Sequence, residues 1–272
     1  MYKWLLFLLG SGLFYLWFKG KKQAKGVIRN PFSAKPSKPK TPSEPEAMVP
    51  CQYCKVHLPK SDSLIFEDRS YCSREHLNAL DDQGWLGNAA WRISPNQDNR
   101  PEKIAPDLLV VHHISLPPGE FGNRDCSSYI VDFFQNQLDS KAHPYFEEIA
   151  EQKVSSHFLI TRAGQLIQFV STQRKAWHAG SSSFLGREKC NDFSIGVELE
   201  GDGETFFEEA QYQVLAKLVS ELTKSYPKLQ LAGHSDIAPE RKTDPGKSFD
   251  WKKFQKATGL PIEKLPFGLH SR

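Results

Sequence analysis

From about residue 81 onward, apolar positions recur with two different periods, which predict strands and helices in alternation. The predicted strands are 107–115, 156–170 (two strands around a turn at Ala163-Gly164), 193–201 and 229–234. The predicted helices are 127–138 and 208–227. Strands that alternate with helices predict the α/β class, with a mixed central β-sheet flanked by helices.

The composition is that of a folded protein, with 39% hydrophobic and 25% charged residues in 272 positions. The net charge of +3 is misleading, because residues 19–43 carry eight Lys or Arg and no acid, so that the rest of the chain carries −5. A basic tail on an acidic body is not the charge pattern of a nucleic-acid-binding domain. We therefore expect no nucleic-acid partner.

Residues 1–20 form an apolar segment that predicts a transmembrane anchor. No charge interrupts the run from Trp4 to Phe18, which as a helix would span about 22 Å, less than the roughly 30 Å of a bilayer's apolar core. A cleaved signal peptide is the alternative, but no small-x-small cleavage site follows the run. Basic residues cluster after the run as far as Arg29, so the positive-inside bias predicts that the chain lies at the cytoplasmic face of the inner membrane. Residues 21–50, rich in Pro, Ser and Lys, predict an extended tether.

Residues 51–80 predict a small zinc-finger-like domain. The candidate ligands follow a C-x2-C and then a C-x3-H spacing: Cys51, Cys54, Cys72 and His76. Three thiolates and one imidazole complete a tetrahedral zinc shell, which is the structural kind of site. A segment this small has too little core to fold unaided, so we expect a structural zinc, with His57 as the alternative fourth ligand.

The large domain, predicted over 81–262, places histidines and carboxylates where its strands end. His112 and His113 are neighbours on one predicted strand, so only one of them can face a given site. His234 closes another strand, and Glu198 lies on the polar face of a third. Two imidazoles and one carboxylate can hold a catalytic zinc, while a second carboxylate takes a proton from water. The spacing alone does not choose among the histidines.

Several long motifs make this domain similar to a known family. The segments "LLVVHHISLPPGEFG", "AHPYF", "KAWHAG", "SSFLGREKCNDFSIGVELEG" and "GHSDIAPERKTDPGKSFDW" occur in the order found in the AmpD family. That family comprises the cytoplasmic 1,6-anhydro-N-acetylmuramyl-L-alanine amidases that recycle the bacterial wall. The resemblance runs from about residue 81 to 262, and motifs of this length in the same order make it specific.

The resemblance implies a catalytic site. The implied zinc ligands are His112, His234 and Asp244; the implied catalytic carboxylate is Glu198 and the oxyanion-stabilising lysine is Lys242. Substrate contacts are implied for Trp177, Arg187 and Tyr145, and the arginine could pair with a substrate carboxylate. His113 replaces an asparagine that is common in the family, and we expect it to pack on the face opposite to His112.

Other polar residues of the large domain are expected to be structural. We expect His157 and His178 to be hydrogen-bonded within the fold and Asp236 to cap its loop. Cys126 and Cys190 are expected to be free thiols. Residues 263–272 predict a C-terminal tail.

The implied reaction is zinc-dependent hydrolysis of the amide between 1,6-anhydro-N-acetylmuramic acid and L-alanine, with an anhydro-muropeptide as substrate. One alternative is a periplasmic amidase that acts on intact peptidoglycan, with residues 1–20 as an export anchor. The other is a non-catalytic module that binds peptidoglycan fragments. Such modules typically lack a complete ligand set, whereas the full set implied by the resemblance is present here, which favours the enzyme.

Overall fold

The computed structural model describes residues 46–122 and 124–269, and Ala47–Arg272 forms one compact unit. The predicted anchor (1–20) and the predicted tether up to residue 45 lie outside the described residues, as do the last three residues of the predicted tail. Among the helices of the described part, none combines the length and the apolar character needed to cross a bilayer.

The strands are β1 (Met48–Pro50), β2 (His57–Pro59), β3 (Leu64–Phe66), β4 (Arg69–Tyr71), β5 (Ala90–Trp91), β6 (Gln97–Asn99), β7 (Leu108–Ile114), β8 (Phe158–Ile160), β9 (Leu166–Gln168), β10 (Arg174–Ala176), β11 (Ser183–Phe184), β12 (Arg187–Glu188), β13 (Ser194–Glu200) and β14 (Gln230–Gly233). The α-helices are α1 (Arg74–Asn78), α2 (Arg124–Phe134), α3 (Phe146–Ile149), α4 (Glu209–Ser225), α5 (His234–Ile237) and α6 (Trp251–Thr258). Short 3-10 helices cover Lys60–Asp62, Cys190–Asp192 and Ile262–Lys264.

A six-stranded sheet with the order β14-β7-β13-β8-β9-β5 forms the centre of the fold. All neighbouring strands are parallel except β8 and β9, which are antiparallel and are joined by a turn that includes Gly164, with φ of +79°. The predicted α/β class with a mixed central sheet is therefore confirmed. The predicted strands at 107–115, 193–201 and 229–234 correspond to β7, β13 and β14.

Helix α4 covers one face of the sheet because its apolar positions recur every three or four residues. Glu208 and Gln211 form a capping box at its start, and its last buried residue is Leu222. The side chains that it buries include Tyr212, Leu215, Leu218 and Val219. They join a core cluster with Leu109 and Val111 of β7, which are fully buried. This packing fixes which face of β7 the odd-numbered residues occupy, and so sends the even-numbered residues to the other face.

The register of the parallel strands decides which polar residues become neighbours. Glu198 of β13 lies directly beside His112 of β7, and Gly233 at the end of β14 lies beside Val111. Helix α5 begins at His234, immediately after β14. The carboxyl ends of β7, β13 and β14 therefore bring these polar side chains to one edge of the sheet, where open α/β sheets commonly bind ligands.

Candidate active site

Three polar side chains from separate elements meet at this edge. His112 lies on β7, His234 opens α5, and Asp244 lies in the loop after α5. The Nδ1 atom of His112 lies 2.8 Å from Oδ2 of Asp244 and 2.9 Å from Nδ1 of His234. Nδ1 of His234 lies 2.9 Å from the same oxygen. All three residues are buried, so two ring nitrogens and one carboxylate oxygen converge on one point inside the protein.

A hydrogen-bonded chain behind His112 determines which of its nitrogens carries the proton. The Ser194 hydroxyl lies 2.6 Å from the Cys190 carbonyl, which can only accept, so the hydroxyl donates there and accepts from Nε2 of His178 at 3.0 Å. Burial holds the pKa of His178 well below its usual value, so its Nδ1 carries no proton and accepts from Nε2 of His112 at 2.9 Å. Burial, followed by the nearby His234, lowers the pKa of His112 to about 4. The neutral His112 ring therefore presents a proton-free Nδ1.

The other two members of the cluster are oriented in the same sense. Nε2 of His234 lies 3.2 Å from the carbonyl of Ala179, which can only accept, so this nitrogen donates there and Nδ1 faces the cluster. Oδ2 of Asp244 lies within 2.9 Å of both Nδ1 atoms, so the carboxylate faces the same point as the two rings. Two lone pairs and an anion this close repel one another unless a cation lies between them. The donor set of two nitrogens and one oxygen fits zinc.

Glu198 lies beside this cluster and has no hydrogen-bonding partner for one of its oxygens. Its side chain is almost fully buried, and Oε2 makes no hydrogen bond among the described residues. Burial raises the pKa of Glu198 well above its usual value, Asp244 raises it further, and Lys242 lowers it in part. A buried carboxyl group without a partner costs folding free energy, and such groups concentrate where acid–base chemistry takes place.

A cavity of about 380 Å³ opens over these groups. Its lining includes the three clustered residues together with Glu198, Lys242, Trp177, Phe133 and Phe134. Its size lies near the lower end of the range of small-molecule sites. Three larger cavities of about 390, 500 and 590 Å³ lie elsewhere among the described residues, but none of them contains the metal-ligating set. The cavity over Glu198 is therefore the candidate active site.

Residues 101–247 match the family model described as "N-acetylmuramoyl-L-alanine amidase". The chain belongs to this amidase family.

The amidase is similar to several characterised relatives over most of their length. It is 49% identical to the "1,6-anhydro-N-acetylmuramyl-L-alanine amidase AmpD" of Salmonella typhimurium (strain SL1344) over 187 residues, which are 68% of this chain and 98% of that relative. It is 51% identical to AmpD of Escherichia coli (strain K12) over 176 residues, which are 64% and 94% of the two chains. A crystal structure of a Se-Met AmpD derivative covers 65% of this chain and 97% of its own, with a TM-score of 0.62 and 51% identity. The resemblance to the AmpD family is confirmed.

The residues predicted to contact substrate are dispersed in the amidase. Trp177 lies in the cavity wall, where its Nε1 donates to Oδ2 of Asp98 at 2.9 Å. Arg187 lies outside the cavity lining and forms an ion pair with Asp107 at 2.7 Å. Tyr145 also lies outside the lining and is packed against the core cluster of α2 and α3. The substrate roles of Arg187 and Tyr145 stay predictions.

Three residues close to the site were not assigned a part in it by sequence reasoning. His178 is hydrogen-bonded within the fold, as expected, but one of its partners is His112 of the cluster. Ser194 was not singled out in the sequence. The guanidinium of Arg241 donates to the carbonyl of Ala179 at 2.7 Å and lies 3.5 Å from Nε2 of His234. The only signals in the sequence are that His178 lies in "KAWHAG" and that Arg241 precedes Lys242.

Of the remaining polar residues, His157 and Asp236 occupy structural positions as expected, whereas His113 also lines the cavity. The ring of His113 packs against Gly203, where an added Cβ would lie 2.6 Å from its Nε2, and His113 is also part of the cavity lining. His157 accepts from the backbone of Gly196 at 3.0 Å. Asp236 accepts from the N–H of Gly233 at 2.8 Å and so caps its loop.

A second cluster of possible metal ligands forms in the segment 51–80. The ligand atoms of Cys51, Cys54, Cys72 and His76 all lie within 4.8 Å of one another. Sγ of Cys72 lies 3.0 Å from Nδ1 of His76 and 3.7 Å from Sγ of Cys54. Burial alone would raise the pKa of the Cys51 thiol. Hydrogen bonds from backbone N–H groups, led by that of Cys54, outweigh burial and lower this pKa to about 6. His57 is exposed and is not part of this cluster, so the geometry favours His76 as the fourth ligand.

Proposed function

We propose that the chain is a zinc-dependent amidase that hydrolyses the amide bond between 1,6-anhydro-N-acetylmuramic acid and L-alanine of muropeptides in peptidoglycan recycling. The observation that carries this proposal is the convergence of two imidazole nitrogens and a carboxylate beneath a cavity that also contains Glu198 and Lys242. The high identity to AmpD over nearly the whole of AmpD supports the choice of substrate.

His112, His234 and Asp244 are the residues that would hold the catalytic zinc. A zinc ion bound there supplies a Lewis acid that polarises the amide carbonyl and lowers the pKa of water. The hydrogen-bonded chain through His178 and the carbonyl of Ala179 keep both Nδ1 atoms free of protons and turned toward this position.

Glu198 is placed to move the protons of the reaction. As the carboxylate it accepts a proton from the attacking water while the new carbon–oxygen bond forms. As the acid it then delivers that proton to the nitrogen of L-alanine while the carbon–nitrogen bond breaks. Lys242 stabilises the negative charge that develops on the former amide oxygen. The products are a muramyl carboxylate and a free amine.

The cluster of three cysteines and His76 would hold a second zinc. Four protein ligands complete the tetrahedral shell and leave no position for water or substrate, so we propose that this zinc is structural. We further propose that residues 1–20 anchor the enzyme at the cytoplasmic face of the inner membrane. The basic residues after that segment support this orientation, and a reducing compartment keeps the cysteines available for zinc.

Digestion of two substrates by the purified full-length enzyme tests the proposal. We expect release of the stem peptide from anhydro-muropeptide, read by mass, and little release from intact sacculi. A chelator should abolish this activity and added zinc should restore it. Full activity of the metal-free enzyme would contradict the mechanism, whereas tight binding without cleavage would favour a non-catalytic module.

A further inference from the structure

The segment 51–80, called the finger below, lies against residues 86–92, called the edge segment, of the amidase sheet. The guanidinium of Arg69 donates to the carbonyl of Ala89 at 2.6 Å and lies 3.8 Å from the centre of the Trp91 ring. The hydroxyl of Tyr71, which is almost fully buried, donates to the carbonyl of Gly87 at 3.2 Å. Strand β4 of the finger thus contacts both the main chain and an aromatic ring of the edge segment.

The metal ligands of the finger are directly attached to the residues that make these contacts. Tyr71 immediately precedes Cys72, and the N–H of Gln52, next to Cys51, donates to the carbonyl of Ser70 at 2.7 Å. A metal that joins the two ligand pairs therefore fixes the position of β4.

Helix α1, which carries His76, lies equally close to the edge segment. A Cβ added to Gly87 would collide with the carbonyl oxygen of Leu77 and would lie 2.9 Å from the Tyr71 ring. Only a residue without a side chain fits between the helix and the tyrosine. The metal-binding part of the finger and the edge segment are therefore in direct contact on two sides of Gly87.

The edge segment also contacts the rest of the amidase, because Leu86 and Ala89 join the core cluster that α4 covers and Ala90 joins the cluster formed with α2, but its main-chain pairing with the sheet is short. Strand β5 is two residues long, lies at the edge of the sheet and, within the described residues, pairs with β9 alone. Gln168 of β9 accepts from Leu86 N–H through its side chain at 2.8 Å and from Arg92 N–H through its carbonyl at 2.9 Å. A strand this short at an edge gains little stability from pairing alone.

We propose that the finger is a metal-dependent clamp that holds the edge segment in place on the amidase sheet. This inference rests on the second zinc of the proposed function, and it assigns that zinc a role in the amidase fold itself. Loss of this zinc frees β4 and α1 and thereby releases the edge segment, while β14 at the opposite edge of the sheet stays folded.

Hydrogen–deuterium exchange of the full-length amidase in detergent, with zinc counted per chain, tests the clamp. In Cys72→Ser we expect one zinc instead of two, exchange at least about tenfold faster across 86–92, and unchanged exchange in β14. His57→Ser, which removes an exposed histidine of the finger that lies outside the ligand cluster, is the matched control and should behave as wild type. Wild-type protection of 86–92 in a Cys72→Ser protein with one zinc would overturn the clamp and leave the second zinc intact. Two zinc ions in Cys72→Ser would overturn both.

Two further variants test the contact without removing a ligand. Gly87→Ala should keep both zinc ions and still speed exchange across 86–92. Tyr71→Phe removes only the hydroxyl that donates to the carbonyl of Gly87, so it should speed exchange across 86–92 to a smaller extent. It keeps the test valid if Gly87→Ala does not fold. Unchanged exchange in both variants would overturn the clamp.

Discussion

Glu198 must accept a proton in one step of the reaction and release it in the next. We expect Glu198→Gln, which keeps the shape but cannot take up a proton, to lower the turnover rate by a factor on the order of 10²–10⁴. The zinc content should stay at the wild-type value because Glu198 lies beside the ligand cluster and is not part of it. Turnover and zinc per chain check this, with the exposed Glu263→Gln as control. Loss of zinc in Glu198→Gln would identify Glu198 as a ligand.

Burial of Glu198 also makes the metal-free protein sensitive to pH. Because the folded-state pKa of Glu198 is raised, its contribution to stability is present below the unfolded value of ~4.3 and is lost as pH rises through the folded pKa. A glutamine at this position does not titrate. The metal-free Glu198→Gln protein should therefore gain stability over the metal-free wild type between pH 5 and pH 8. Urea unfolding at both pH values measures this, and a pH-independent difference would contradict it.

Ser194 acts on the metal site through two intervening imidazoles. Ser194→Ala removes the acceptor that keeps the proton on Nε2 of His178, so both His178 and His112 can adopt the wrong tautomer. We expect zinc affinity at the catalytic site to fall by about 10–100-fold, as for other partners of metal ligands. Ser156→Ala is the matched control, because Ser156 is also buried and its hydroxyl has no hydrogen-bonding partner among the described residues.

Competition with a chelator measures these affinities, and thermal unfolding of the metal-free proteins shows whether the fold itself has changed. If Ser194→Ala and Ser156→Ala bind zinc equally well, the hydrogen-bonded chain has no part in positioning His112.

The strands and helices that carry the site follow from the pattern of the sequence. Apolar alternation predicts β7, β13 and β14, and the same alternation places His112 and His113 on opposite faces. The spacing alone did not choose between them, because that choice depends on which face α4 covers. The residues of α4 begin nearly a hundred positions later in the chain.

Contacts between distant elements could not be predicted from local pattern. His178 has the sequence context of an ordinary buried histidine, and only the fold brings Ser194 to one side of its ring and His112 to the other. Arg187 resembles a substrate-binding residue in its motif, yet its observed partner is Asp107 from another part of the chain. The spacing of Cys51, Cys54, Cys72 and His76 predicted that they group as possible ligands, but it did not predict the contact of the finger with Gly87.

Zinc stoichiometry separates the finger from the catalytic centre. Cys51→Ser should lower the zinc content from two ions to one per chain, because the remaining three ligands leave an incomplete shell. Hydrolysis at 25 °C should persist, while heat inactivation should occur at a lower temperature than in wild type. Metal analysis and residual activity after heating check this, with His57→Ser as control. An unchanged zinc content would show that the finger binds no metal.

Topology of the whole molecule distinguishes the proposed enzyme from a periplasmic one. The basic residues that follow the predicted anchor favour a cytoplasmic location of the remainder of the chain. Protease added to intact spheroplasts should therefore leave the amidase domain undigested until the membrane is broken. Digestion in unbroken spheroplasts would place the enzyme in the periplasm, where intact peptidoglycan is the more accessible substrate.

The position of β5 in the sheet also matters while the ribosome is making the protein. Ala90 of β5 pairs with Ile167 of β9, so about 75 further residues must be synthesised before β5 can form this pairing. At ~5–20 residues per second this is a delay of about 4–15 s. All residues of the finger are synthesised before β5 emerges from the ribosome. The zinc-bound finger can therefore cover the unpaired β5 and prevent it from pairing with other chains. Nascent chains arrested near residue 130 should expose 86–92 to protease more readily when zinc is withheld, and equal cleavage with and without zinc would show that the finger offers no such shelter.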